Sequence, residues 1–232
     1  MANISNEKIF PNKAKLVHEV NELLGIQLND LDILLGNDPT KYFDRPTYYR
    51  YFELQNVEPV GAVYLSKPKG KGISIIWLSE RVCKSLGSYF VWKYAHECGH
   101  RLQDEKWPKY HDWENTLRRL NPQLLNFDIP SEVDAHITAK KAIINMFGEK
   151  DLNNCINDEI KVAKDPAFLG FIKTKDPNKN IDLEEAYFLA LAKEAYKKYG
   201  DIRATVEFLS GLFLDKSQKD IGNRLSAVLE LK

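Results

Sequence analysis

Val91-Trp92-Lys93-Tyr94-Ala95-His96-Glu97-Cys98-Gly99-His100-Arg101-Leu102 is the stretch on which the fold turns. An α-helix advances about 100° and 1.5 Å per residue, so His96 and His100 stand one turn apart with both imidazoles on one face. That spacing lets two histidines bind a single tetrahedral metal ion. Glu97 lies between them in angle, within reach of a water on such an ion and not placed to be a third ligand from the same helix. Val91, Tyr94, Cys98 and Leu102 gather on the opposite side as an apolar stripe. The helix can therefore bury its back and present His96, Glu97 and His100 to a cleft. Cys98 belongs to the stripe and is assigned to packing.

Upstream, residues 12–35 carry apolar positions at helical spacing (Leu16, Val17, Val20, Leu23, Leu24), break near Gly25 and resume from Leu28 to Leu35. Three short runs rich in aromatic and β-branched residues follow: Tyr48 to Leu54, Val60 to Leu65 and Ile73 to Leu78. The stretches Asn56-Val57-Glu58-Pro59 and Lys67-Pro68-Lys69-Gly70-Lys71-Gly72 separate them, which predicts a short antiparallel β-meander. From Ser79 onward the period is helical. Ser131 with Asp134 resembles a capping box opening a helix through Phe147. Asp182 with Glu185 opens another that stops at Tyr199-Gly200. Asp201 to Leu214 and Ser217 to Leu231 read as two more. The expected class is α+β, with the meander packed on the metal helix and a mostly helical C-terminal part. A metal-binding domain over residues 1–148 and a helical region over 149–232 are the expected divisions.

Composition removes several function classes. Among 232 residues, 44% are hydrophobic and 28% charged, the balance of a globular chain. Lys plus Arg and Asp plus Glu number 33 each, so no basic surface drives binding to nucleic acid. Ser217 to Leu225 resembles the opening of a helix-turn-helix, but with Lys232 as the last residue a terminal amphipathic helix is expected instead. No apolar run approaches the roughly 20 residues that span a bilayer, and Met1 to Pro11 lacks a signal-peptide pattern. The three cysteines (Cys83, Cys98, Cys155) lie far apart, as reduced thiols in a cytoplasm do.

Zinc in a catalytic site takes three protein ligands and leaves the fourth position open. The metzincin pattern places its third histidine at position 106, where this chain has Lys106. Asp104 is two turns from His96, about 12 Å along the axis, too far to share its ion. The third ligand must come from another element, and Ser131-Glu132-Val133-Asp134-Ala135-His136-Ile137-Thr138-Ala139 offers Glu132, Asp134 and His136. Glu132 and Asp134 point about 200° apart, so at most one faces the metal, while Glu132 and His136 share a face.

His-Glu-x-x-His followed about 30 residues later by a helix of the pattern Glu-x-Glu/Asp-Ala-x-x-x-Ala resembles the glutamate-zincins, nearest to the small cytosolic ImmA/IrrE-type metallopeptidases of phages and mobile elements. The resemblance spans roughly residues 60–147 and implies a zincin-like fold. It also implies a Zn2+ cofactor, a protein or peptide substrate, and Glu132 as the third ligand with His96 and His100. Two local features agree: Glu132 falls in the first helical turn, where free N–H groups favour a carboxylate, and Asp134 is expected to cap Ser131. His136 stands where the family has Asn or Asp, and is expected to support the site. The implied chemistry is peptide hydrolysis by a metal-activated water with Glu97 as general base. Asp134, His136, Tyr110 and His111 are candidates for supporting the ligands or donating to the oxyanion. Trp107, Trp113, Tyr110 and Phe127 are expected as core aromatics. A non-enzymatic regulator on the same scaffold is the alternative.

Overall fold

The computed structural model describes residues 4–27, 29–36, 61–67, 72–124, 128–163 and 178–229. The expected strand at 48–54, Phe127 and most of the loop at 67–72 fall outside them. Two compact units are formed, residues 1–102 with 135–179, and residues 103–134 with 180–232.

In the first unit, four strands build a mixed sheet: β1 (Ile4–Ser5), β2 (Leu31–Leu35), β3 (Ala62–Leu65) and β4 (Ser74–Leu78) in the order β1-β2-β4-β3. β1 pairs parallel with β2 and β2 parallel with β4, while β3 and β4 form the antiparallel pair. Two expectations are corrected here. Leu31–Leu35 is a strand and not a helical continuation, and the sheet is not a simple antiparallel meander. Five residues, apolar but for Asp32, are too few to show a period; parallel pairing to β4 buries nearly all of them, which decides the matter.

Side chains alternate across the sheet. Leu31, Ile33, Leu35, Tyr64, Ile76 and Leu78 join the main core. Leu34, Val63, Leu65, Ile75 and Trp77 form a second buried cluster. Both faces being buried explains why these strands read as nearly continuous apolar runs, interrupted by Asp32 in β2 and opened by Ser74 in β4.

Helices α1 (Pro11–Leu24), α2 (Glu80–Lys84) and α6 (Glu149–Ala163), with α3 (Gly87–Lys106) as far as Leu102 and α5 (Pro130–Met146) from Ala135, supply the rest of the first unit. The Ser79 hydroxyl caps α2 by accepting from the Val82 N–H at 3.3 Å. The stripe inferred from sequence holds: Val91, Tyr94 and Cys98 are buried in the core and Leu102 packs against it. α3 and α5 approach closely at Gly99. A Cβ there would lie 2.8 Å from Ala135 Cα, a distance that real side chains do not adopt.

The second unit contains α4 (Tyr110–Leu120), α7 (Leu183–Tyr199), α8 (Ile202–Ser210) and α9 (Gln218–Val228). Asp182, Asp201 and Ser217 cap α7, α8 and α9 through their side chains, and Gly200 ends α7 in the left-handed conformation. Tyr110, Trp113 and Leu117 of α4 pack with Leu183, Tyr187 and Phe188 of α7, and Trp113 stacks on Phe213 at 5.3 Å. The Arg224 guanidinium lies 3.7 Å from the Phe188 ring centre, so α9 closes this core as an amphipathic helix.

The α5 start departs from expectation. It begins at Pro130, so Ser131 is inside the first turn and not its cap. The Ser131 hydroxyl donates to Glu114 Oε2 at 3.0 Å, and Asp134 Oδ2 accepts from Gln103 Nε2 at 2.9 Å.

Candidate metal centre

His96 and His100 project from α3 with their Nε2 atoms 3.2 Å apart and their rings nearly perpendicular at 84°. Two nitrogens bound at about 2.0–2.1 Å to one tetrahedral ion lie about 3.3–3.4 Å apart, so the pair is already spaced as ligands are. Glu132, in the first turn of α5, completes the group: ligand atoms of His96, His100 and Glu132 all lie within 4.8 Å of one another. All three residues are partly buried, and the set can hold a metal ion. Among the described residues it is the one group of this kind.

The local register follows from the approach of the two helices. Gly99 lets Ala135 come close. One turn further along α3, Gln103 Nε2 donates to the Ser131 carbonyl at 2.8 Å as well as to Asp134. One turn the other way, the His136 ring meets His96 edge-on at 4.4 Å and Trp92 at 5.9 Å. α3 and α5 are thus antiparallel, and His136 fills the notch between Trp92 and His96. It is buried and is not in the ligand group.

Glu97 is also outside that group. Its carboxylate turns toward the sheet, where Oε2 accepts the Tyr64 backbone N–H at 2.8 Å, and the residue is only 7% exposed. A buried carboxylate needs such a donor. Tyr64 sits on β3, which has β4 on one side and, among the described residues, no strand on the other.

The remaining candidates are dispersed. Asp134 is held by Gln103. Tyr110 is 1% exposed in the core of the second unit, tilted over His111 at 3.8 Å between ring centres. His111 is exposed, with its Nε2 3.8 Å from Asp104. Neither Tyr110 nor His111 belongs to the ligand group.

One charged pair escaped the sequence. Lys93, on α3 one turn before Glu97, bonds Glu159 of α6, and Tyr89 donates to the other Glu159 oxygen at 3.4 Å. The Lys93 and Glu159 side chains are 18% and 11% exposed. Burial alone would neutralise both. The opposing charge outweighs it, holding the Glu159 carboxyl below its usual range and Lys93 above its own. Lys93 was legible in principle from its spacing to His96 and Glu97; no local signal marked Glu159. The three cysteines are buried and free, and burial pushes the Cys83 and Cys155 thiols up to about 12.

Comparison of the chain with protein-family profiles, with curated proteins and with solved structures returned no match.

Proposed function

We propose that this chain is a zinc-dependent metallopeptidase of the glutamate-zincin type, with His96, His100 and Glu132 as metal ligands and Glu97 as general base. The observation that carries it is the convergence of two Nε2 atoms and a carboxylate with a second carboxylate, Glu97, beside them and outside the ligand group. A purely structural zinc site closes its fourth position with Cys or His and has no use for a base. When bound, zinc polarises the scissile carbonyl and acidifies water toward neutral pH.

Glu97 is held at Oε2 by Tyr64, so Oε1 takes the proton of the attacking water and returns it to the leaving amine. No described helix is long and apolar enough to cross a membrane. The buried, unpaired cysteines support a cytoplasmic setting for the reaction.

A second function, a regulator that keeps the site without turnover, draws on one observation: Glu97 is buried and engaged. Metal content and hydrolysis of a randomised peptide library, read by mass spectrometry, separate the two. One zinc per chain with cleavage, and zinc retained but cleavage reduced about 10²–10⁴-fold in Glu97→Gln, is the expected result. Zinc lost from Glu97→Gln would make Glu97 a ligand, and a zinc-loaded wild type that cleaves nothing would favour the regulator.

A further inference from the structure

Along α3, Lys93, Glu97 and Arg101 recur at intervals of four, which puts three charges of alternating sign on one helix face. This strip runs beside the β3–β4 pair. Gly61, just before β3, is near the Lys93 stem: a Cβ built on it would be 3.8 Å from Lys93 Cε. The Tyr64 N–H binds Glu97, and Arg101 Nη1 lies 3.4 Å from Ser74 Oγ at the start of β4.

Lys93 and Glu97 stand at the spacing at which helical ion pairs form. With Glu97 buried and the Lys93 side chain 18% exposed, the attraction between them would be poorly screened. Lys93 is instead bonded to Glu159, which arrives from α6 and is anchored on its other oxygen by Tyr89. A cation bonded to Glu97 would occupy the oxygen that must accept a proton and would lower the carboxylate's basicity.

We propose that Glu159 is a positioning residue that withholds Lys93 from Glu97 and so keeps Oε1 open to the attacking water. It rests on the general-base role given to Glu97 above. A buried ion pair is weak evidence for stability, since apolar residues of the same volume often serve as well. Its position one turn before the base gives this pair another use. Both partners remain charged in spite of burial, as capture requires.

The test compares crystal structures, zinc content and peptide-library hydrolysis of the wild type, Glu159→Gln and the double variant Glu159→Gln with Lys93→Met. In Glu159→Gln, Lys93 Nζ is expected within hydrogen-bond distance of Glu97, with zinc retained and kcat reduced about 10²-fold or more at little change in KM. The double variant, with no cation left to capture, is expected to return Glu97 to Tyr64 alone and to recover most of kcat. A structural role for the pair would not produce that recovery. Lys93 turning to solvent in Glu159→Gln, or a double variant no more active than the single one, would overturn the proposal. So would a single variant that fails to fold beside a folded double variant, which would assign the pair to stability alone. A wild type that hydrolyses nothing would defeat the peptidase function, while the crystallographic comparison would still decide whether Glu159 restrains Lys93.

Discussion

Glu132 and His136 lie one turn apart on α5 and face the same histidine, yet only Glu132 belongs to the group with His96 and His100. His136 meets His96 through its ring edge and also lies against Trp92, a position in which it would orient His96 in the proposed site. The two therefore differ in what their loss does. Glu132→Ala is expected to cost zinc affinity far more than the 10–100-fold typical of a residue that only supports a ligand, and His136→Ala to fall within that range. Competition with a chromophoric chelator measures both. A site emptied by His136→Ala and still filled in Glu132→Ala would reverse the assignment. What the sequence revealed here was local. His96, Glu97 and His100 are related by one helix turn, a geometry that needs no tertiary information. Glu132 could be singled out from Asp134 and His136 only through the resemblance, because nothing local relates α5 to the histidines; the capping expected of Ser131 and Asp134 fails because the helix already begins at Pro130.

At the scale of elements, the site depends on how closely α3 and α5 approach. In an open helix position Gly→Ala adds about 1 kcal/mol of stability. At Gly99 the added methyl would meet Ala135 Cα at 2.8 Å, and Ala135 Cβ and Thr138 Cβ at 3.2 and 3.3 Å. These neighbours are backbone and short side chains with nowhere to turn. Gly99→Ala is therefore expected to destabilise by about 1–3 kcal/mol, as overpacking does, and to weaken zinc binding by separating the histidines from Glu132. Urea midpoints and zinc titration check the two effects. A stabilised Gly99→Ala would mean that the helices part without cost. Among the elements, helices with side-chain caps were legible: Asp182, Asp201 and Ser217 each open one. β2 was not, since five residues, four of them apolar and one Asp32, fit either period and only pairing with β4 makes them a strand. Glu159 was illegible for the same reason: the packing of α6 on α3, and no neighbour in sequence, gives it Lys93.

For the whole molecule, a metal that binds only the folded chain must raise its stability. Zinc at about 1,000 times its Kd contributes about 4 kcal/mol, which for a chain of this length raises Tm on the order of 10 °C. Chelation should remove that increment in calorimetry; an unchanged Tm would mean that no metal is held. Glu159 adds its own response to acid. Its folded pKa is depressed, so its contribution is fully present above the usual carboxylate range and is lost as pH falls through the lowered value. The variant with Lys93→Met and Glu159→Gln should show a shallower loss of stability on acidification than the wild type.

Both compact units are also discontinuous in the chain. α4 is complete at Leu120, but α7, which covers its Tyr110, Trp113 and Leu117, does not begin until Leu183. A ribosome adding about 5–20 residues per second needs roughly 3–12 seconds for that interval. For those seconds a helix with a bare aromatic face waits outside the exit tunnel for its cover, so the nascent chain is most exposed to aggregation, and most in need of a chaperone, while residues 121–182 are emerging from the tunnel.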